Sequence, residues 1–519
     1  MRAVLTFGRR NPRFSITVPR MSTARSSGLG LVPLVLSVVT GCSDPVTSTP
    51  APDALAWTPC GDGIEESKGI DETGAECATL VVPRDHADPG SPTWSIPLIR
   101  LRATGSGARL GTLVTNPGGP GISGIGYIRS EGVDTLTRLR ERYDILGFDP
   151  RGAGSSEPAI ECLDEPDVAA IRNQVSAPTS EAQVTLANEL AGLVASRCSE
   201  RFGEWLPFVG TREVARDMDR LRQALGEEKL HYLGFSYGTY LGATYADLFP
   251  QHAGRLVLDG AMNPALDYNA LRRDQAVAMD AALADFVADC HKNADKTPCP
   301  LPADPKVALA ALAGIVEELD VTPYQAADGR ILSGSRALGL IQSATYYPPQ
   351  TWTTLRDVLD TALVGDYAEM LEVAHSPALM VNPADTPYLA VMCHDLVIEQ
   401  DPATVPLAAA EWAKLAPING ASRAWSTLPC RTWPARSATP STERRAEGAG
   451  PILVVGTTRD PATPVAWARA LKDALATAHY LEWNGDGHLA YGRGGACVDD
   501  AVEAFLLEGT TPAAGATCP

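Results

Sequence analysis

Three residues of this chain have side chains and settings suited to acyl transfer: Ser236, Asp460 and His488. Ser236 is the centre of Gly234-Phe235-Ser236-Tyr237-Gly238, between a short apolar run, Leu230 to Leu233, and a helical one, Thr239 to Leu248. Strand, sharp turn and helix in that order lift a serine hydroxyl to the edge of a sheet, and the flanking glycines suit a turn too tight for a Cβ. A serine hydroxyl is a poor nucleophile at neutral pH, so it needs a base to take its proton and a third group to orient that base. Among eight histidines, His488 ends the Gly-rich loop Asn484-Gly485-Asp486-Gly487-His488 directly after a strand. Asp460, in Gly456-Thr457-Thr458-Arg459-Asp460-Pro461, follows the strand before that one. Each feature alone has a plain reading: a chance Ser motif in a Gly-rich chain, a helix-capping Asp, a solvated loop His.

Joint placement gives them more weight. The chain order Ser236, Asp460, His488, each after a strand, is that of an α/β-hydrolase and not of the two common serine-protease folds. Asp259 also follows a strand and is the rival acid, although Gly260-Ala261 beside it suits a turn into a cap. A strand from Leu110 to Thr115 ends in Asn116-Pro117-Gly118-Gly119-Pro120-Gly121, where backbone N–H groups can face open space instead of a neighbouring strand. Such a loop supplies one oxyanion donor in this type of hydrolase, so the N–H groups of Gly119 and Tyr237 are the expected oxyanion hole. The reaction needs no metal or organic cofactor.

The elements that must position these residues alternate. Short β-type runs, Thr79 to Val82 and Trp94 to Arg102, open the chain as an antiparallel edge. Strands at Tyr143 to Phe148, Arg255 to Leu258, Ile452 to Val455 and His479 to Trp483 predict a mainly parallel sheet covered by helices on both faces. Thr211 to Leu225 carries a helical stripe of Val214, Met218, Leu221 and Leu225, ending at Gly226. Asp149-Pro150-Arg151-Gly152-Ala153-Gly154-Ser155-Ser156 lacks the Gly-Lys-Ser/Thr of a phosphate loop, and Asp149 and Arg151 read as braces beside the site. From 264 to 440 the texture becomes alanine-rich, helical and broken by prolines, which predicts a cap inserted between a first core part, 55–263, and a C-terminal core part, 441–519.

With 519 residues, 45% hydrophobic and 20% charged, the chain can bury one large core with an insertion, or two domains. A net charge of −19 argues against nucleic acid or anionic lipid as a partner held by a general basic field. Residues 1–41 read as a signal segment, with Met21 a possible start, Arg25 giving the positive region and Leu29 to Val39 an apolar run too short to span a membrane. Val39-Thr40-Gly41-Cys42 resembles a bacterial lipobox, so lipid attachment at Cys42 is expected, beside the alternative of an ordinary secretory signal; 42–54 is a polar tether. Membrane contact is then through that anchor alone, and the protein is exported, anchored to the envelope or secreted. Ten of the 11 cysteines remain, an even number that suggests disulfides in an oxidising compartment. Sequence does not fix the pairing; sequential neighbours give the expected loops Cys60–Cys77, Cys162–Cys198, Cys290–Cys299, Cys393–Cys430 and Cys497–Cys518.

Asn116 to Gly121, Asp149 to Ser156, Gly234 to Gly238 and the run from Gly450 to Cys518 resemble the secreted bacterial tripeptidyl and prolyl aminopeptidases of the α/β-hydrolase fold. The last run is the most specific, joining Gly456, Asp460 and Thr463-Pro464 after one strand, Gly485 to His488 after the next, and the closing cysteines. The resemblance spans residues 55 to 518 and is weak across the cap. It implies the triad of Ser236, Asp460 and His488 and an exopeptidase that releases short peptides or single residues from free amino termini of peptides. It also implies a cap carboxylate for the substrate's α-ammonium. Ala390-Val391-Met392-Cys393-His394-Asp395 resembles the family's cap segment, which makes Asp395 the candidate anchor beside the reading of a solvated helix-end carboxylate. An esterase on the same framework and a non-catalytic peptide-binding surface lipoprotein stay open as other functions.

Overall fold

The computed structural model describes residues 54–60, 74–293, 298–348, 350–376, 385–438 and 444–519. The expected signal segment, the lipidation candidate Cys42 and most of the tether lie outside these residues. The strands, in chain order, are β1 Thr58–Pro59, β2 Ala75–Asp85, β3 Asp88–Leu101, β4 Gly111–Asn116, β5 Tyr143–Phe148, β6 Leu230–Phe235, β7 Ala253–Asp259, β8 Tyr324–Gln325, β9 Ile331–Leu332, β10 Ile452–Arg459, β11 Ala478–Asp486 and β12 Ala516–Cys518. All but β8 and β9 form one 10-stranded sheet in the order β1-β2-β3-β5-β4-β6-β7-β10-β11-β12. Its first strands pair antiparallel up to the β3–β5 contact, and every later pair is parallel. The fold is that of an α/β-hydrolase.

Register explains why the central strands read as continuous apolar runs. Val114, Tyr232, Leu256 and Ile452 lie in one row across the sheet, and Thr115, Leu233, Val257 and Leu453 in the next. Alternate residues point to opposite faces, so the first row joins one apolar core and Leu233, Val257 and Leu453 join the other. Each of these large side chains stabilises the fold by about 1.5–3 kcal/mol on burial. Thr211–Ala224 buries Val214, Met218 and Leu221 against the first core, as the stripe predicted, and the chain turns at Gly226 with φ +70°.

Between β7 and β10 the described residues are helical apart from the β8–β9 hairpin. This segment has its own core, built on Leu283, Phe286, Leu312, Leu319, Ile341 and Leu359. The helical layer has a second contributor. The helix Glu181–Phe202, opened by a capping box at Ser180, packs Ala187 and Ala191 against Val405, Ala409, Trp412 and Leu428. The same helix sends Leu190, Val194 and Cys198 into the first core, so it joins both the core part and the cap.

The cysteines pair as Cys60–Cys77, Cys162–Cys198, Cys290–Cys299, Cys393–Cys430 and Cys497–Cys518. Five disulfides are characteristic of a protein exported to an oxidising compartment. Among the described residues no helix is long and apolar enough to cross a membrane, and no group of side chains could hold a metal ion.

Candidate active site

The loops after β4, β6, β10 and β11 leave the same, carboxyl edge of the sheet, where the crevice of an open parallel sheet lies. Ser236 occupies the turn after β6 with φ 54° and ψ −121°, a left-handed conformation that L-residues rarely adopt. Neighbouring hydrogen bonds hold it there: the Ser236 N–H donates to the Asp259 carbonyl at 2.9 Å, and the Thr239 hydroxyl donates to the Ser236 carbonyl at 2.6 Å. A Cβ on Gly234 would lie 2.5 Å from the Gly238 carbonyl oxygen, so the close approach of strand and helix excludes any side chain.

The Gly-rich loop after β4 folds onto this turn. Its start is fixed by the Gly118 N–H donating to Asn116 Oδ1 at 3.0 Å. A Cβ on Gly118, whose φ is +99°, would meet the Phe235 carbonyl oxygen at 2.6 Å and the Tyr237 nitrogen at 3.1 Å. The loop and the amide of Tyr237 are thus in contact, and Gly119 lines the same cavity as Ser236. Below them the Tyr237 hydroxyl meets the Thr211 hydroxyl at 2.5 Å.

His488 and Asp460 come together from separate strand ends. His488 Nδ1 lies 3.0 and 2.9 Å from the two Asp460 oxygens, and both residues are buried. Oδ1 of Asp460 accepts the N–H groups of Ala462 and Thr463 at 2.8 and 2.9 Å, and Oδ2 accepts the Thr463 hydroxyl at 2.8 Å. A carboxylate accepts only, so the ring proton sits on Nδ1 and Nε2 is left as the acceptor, an assignment made from the hydrogen-bond network. The His488 N–H donates to the Tyr346 carbonyl at 2.8 Å, and the two rings meet edge to face with centroids 5.5 Å apart.

Asp259 does not bond His488. Its oxygens accept the N–H groups of Ala490 and Tyr491 at 2.9–3.1 Å, tying down the chain just beyond the histidine. Burial lifts its carboxyl to about 6, against the opposing pull of those two N–H donors. Asp149 and Arg151 brace their loop: Asp149 accepts from the Ser123 hydroxyl at 2.6 Å and from Ser155 N–H at 2.8 Å, and Arg151 donates to Asp217 at 2.6 Å.

Ser236 and His488 open into a cavity of about 1130 Å³ roofed by the helical layer, with Tyr346, Tyr388 and Met392 among its walls. Asp395 does not line it. One oxygen accepts the Thr211 N–H at 2.8 Å and the other pairs with His394 Nδ1 at 2.7 Å, so the carboxylate is spent inside the protein and does not face a substrate. Its position at the end of the helix Thr386–Asp395 was legible, but not the face it takes. Thr463, which grips Asp460 and lies 3.3 Å from His488 Nδ1, was visible only as half of a Thr-Pro pair. Arg272 and Arg423, also on the cavity wall, left no local signal in the sequence.

Residues 416–518 match the family described as TAP-like protein. Over 496 residues the chain is 35% identical to Serine protease Hip1 of Mycobacterium tuberculosis, covering 89% of this chain and 91% of that protein. It is 32% identical over 482 residues to Tripeptidyl aminopeptidase of Streptomyces lividans, covering 89% of this chain and 86% of the relative. Carboxylesterase B of Mycobacterium tuberculosis is 33% identical over 521 residues, covering 96% and 98%.

Proposed function

Because the chain belongs to the TAP-like family of α/β-hydrolases, and is by that kinship a serine hydrolase, we propose that it is an exopeptidase acting on free amino termini of peptides. The observation that carries this reading is that His488, paired with buried Asp460, lines the same roofed cavity as the strained Ser236 turn. Ser236 attacks the acyl carbonyl, His488 Nε2 takes its proton and returns it to the leaving amine, and water then releases the acyl group by the same steps in reverse. Asp460 holds the tautomer and stabilises the imidazolium. The N–H groups of Tyr237 and Gly119 receive the developing oxyanion, each worth about 3 kcal/mol.

The serine protease and the tripeptidyl aminopeptidase among the relatives support a peptide substrate, and a cavity of about 1130 Å³ has room for several residues. With Asp395 turned inward, Glu131 and Asp385 are the carboxylates on the cavity wall available to the α-ammonium. The carboxylesterase relative favours the second reading, ester hydrolysis by the same residues. Lipid attachment at Cys42 belongs to the proposal as well.

Fluorophosphonate labelling that disappears in Ser236→Ala is the expected result for the nucleophile. A tripeptide p-nitroanilide with a free amino terminus should then be cleaved and its acetylated twin left intact. Equal cleavage of the two would remove the aminopeptidase reading, and hydrolysis of esters alone would establish the other.

A further inference from the structure

The helices Tyr268–Lys292 and Gly420–Trp425 bring Arg272 and Arg423 to the wall of the cavity that Ser236 and His488 also line. Both are buried, with 9% and 4% of their surface exposed. Arg100, Arg151 and Arg222, buried elsewhere, each face a carboxylate, and buried Arg431 is held by the Glu399 and Asp401 carbonyls instead. Arg272 and Arg423 face no carboxylate: among the described residues, all their hydrogen-bond partners are neutral. Arg272 Nε and Nη2 donate to the Ser426 hydroxyl at 3.0 and 2.8 Å, and Nη1 to Gln275 Oε1 at 3.1 Å and the Tyr388 hydroxyl at 3.4 Å. Arg423 Nη2 reaches Gln342 Oε1 at 3.2 Å and Met279 Sδ at 2.9 Å, and its Nε is buried without a hydrogen-bond partner.

Asp280 is not their counter-charge: its oxygens accept the N–H groups of Ile418 and Asn419 and the Asn419 side-chain amide. Asn419 in turn accepts from Gln342, so two amides stand between that carboxylate and Arg423. Burial and the neighbouring Arg272 pull the Arg423 guanidinium down to about 10, which leaves it charged at neutral pH. Two buried cations side by side without an anion destabilise the folded protein unless something answers their charge. The site is also wired to the chemistry. Gln275 donates to the Ala462 carbonyl at 2.8 Å, and the Ala462 N–H donates to Asp460. Tyr346, which meets His488 edge-on, lies within electrostatic reach of both arginines.

We propose that Arg272 and Arg423 form a subsite for a carboxylate carried by the substrate, either an acidic side chain or the C-terminal α-carboxylate of a short peptide. Guanidinium groups match carboxylate geometry and are the side chains suited to holding one out of bulk water. This rests on the serine-hydrolase reading of the site and adds a substrate class to it.

The test compares kcat/KM for matched pairs. Peptide p-nitroanilides carry Glu or Gln at each of their first three positions, short peptides have a free or an amidated C-terminus, and a succinate half-ester is set against its neutral succinamate ester. The expected result is a preference for the carboxylate of roughly 5- to 15-fold in one pair, the difference between a charge-assisted hydrogen bond and a neutral one. A Glu preference identifies the side chain as the source, and a free-terminus preference identifies the α-carboxylate. The ratio should fall to about 1 in Arg423→Met and recover in Arg423→Lys, which a packing defect would not do. No pair differing by more than about twofold in the wild type overturns the proposal, as does a preference that survives in both Arg272→Gln and Arg423→Met. If peptides are not cleaved and esters are, the peptidase reading fails while the half-ester pair still decides the subsite. If neither is hydrolysed, slowing of fluorophosphonate labelling by the Glu peptide but not the Gln peptide makes the same decision.

Discussion

Replacing Asp460 by Asn separates the acid from its rival, Asp259, and the structure fixes how the amide must sit. Oδ1 of Asp460 accepts two backbone N–H groups, from Ala462 and Thr463, and only an oxygen can take that place. In Asp460→Asn the amide nitrogen is therefore forced to the Oδ2 position, 2.9 Å from His488 Nδ1. There it competes as a donor with the Nδ1 proton, and the oxygen left beside Nδ1, Oδ1 at 3.0 Å, already accepts two backbone N–H groups, so the balance shifts to the tautomer with its proton on Nε2, where the serine proton should go. The imidazole is held in the wrong tautomer with its position unchanged, a defect that costs about four decades in kcat, or about 5 kcal/mol of barrier. Asp259→Asn leaves the Asp460–His488 pair in place and disturbs only the anchor on Ala490 and Tyr491, so its loss should stay within about two decades. The assay is kcat/KM on a p-nitroanilide or p-nitrophenyl substrate, with circular dichroism to confirm folding. If Asp460→Asn loses less than tenfold while Asp259→Asn loses four decades, the assignment of the acid is wrong.

Gly118→Ala should cut kcat at least a hundredfold and also lower stability, because at φ +99° the new Cβ would sit 2.6 Å from the Phe235 carbonyl and 3.1 Å from the Tyr237 nitrogen and displace a proposed oxyanion donor; steady-state kinetics showing unchanged kcat would contradict this. Asp259 also sets a pH dependence of stability. Its folded value of about 6 lies above the ordinary 3.8, so between about pH 4 and 6 the folded state holds a proton that the unfolded state has lost, and this group's contribution falls as pH rises through that window. Urea unfolding of wild type and Asp259→Asn should show the wild type's relative advantage shrinking from pH 4 to pH 7 by up to about 3 kcal/mol; an advantage that grows with pH would refute it.

What could be read ahead of the structure was what lies close along the chain. The turn around Ser236 announces itself because strand, glycine, serine, glycine and helix are contiguous, and β5 begins and ends where its apolar run does. Asp460 and His488 were legible because each sits in the turn a few residues beyond an apolar strand, in the chain order the chemistry needs. Features that depend on which face a helix presents were not. Asp395 ends a helix in which nearly every side chain is buried, so no polar stripe marks its outward side. The helix Glu181–Phe202 shows a weak apolar face, and only its partners Val405 and Trp412, far along the chain, reveal that it touches the roof as well as the first core. Arg272 and Arg423 look like ordinary surface cations until two separate helices turn both inward.

The order of the strands has a consequence for when the protein becomes active. β7 and β10 are neighbours, with Leu256 opposite Ile452, yet the helices from Tyr268 to Arg431 are synthesised between them. Ser236 is therefore synthesised before those helices, and Asp460 and His488 only after them. A chain still being synthesised carries the serine without its proposed acid and base, and joining β10 to β7 is a long-range pairing of the kind that forms late in folding. A delay in hydrolysis is thus built into the order of translation: the serine is made early, and the proposed triad is assembled only once the finished sheet has closed.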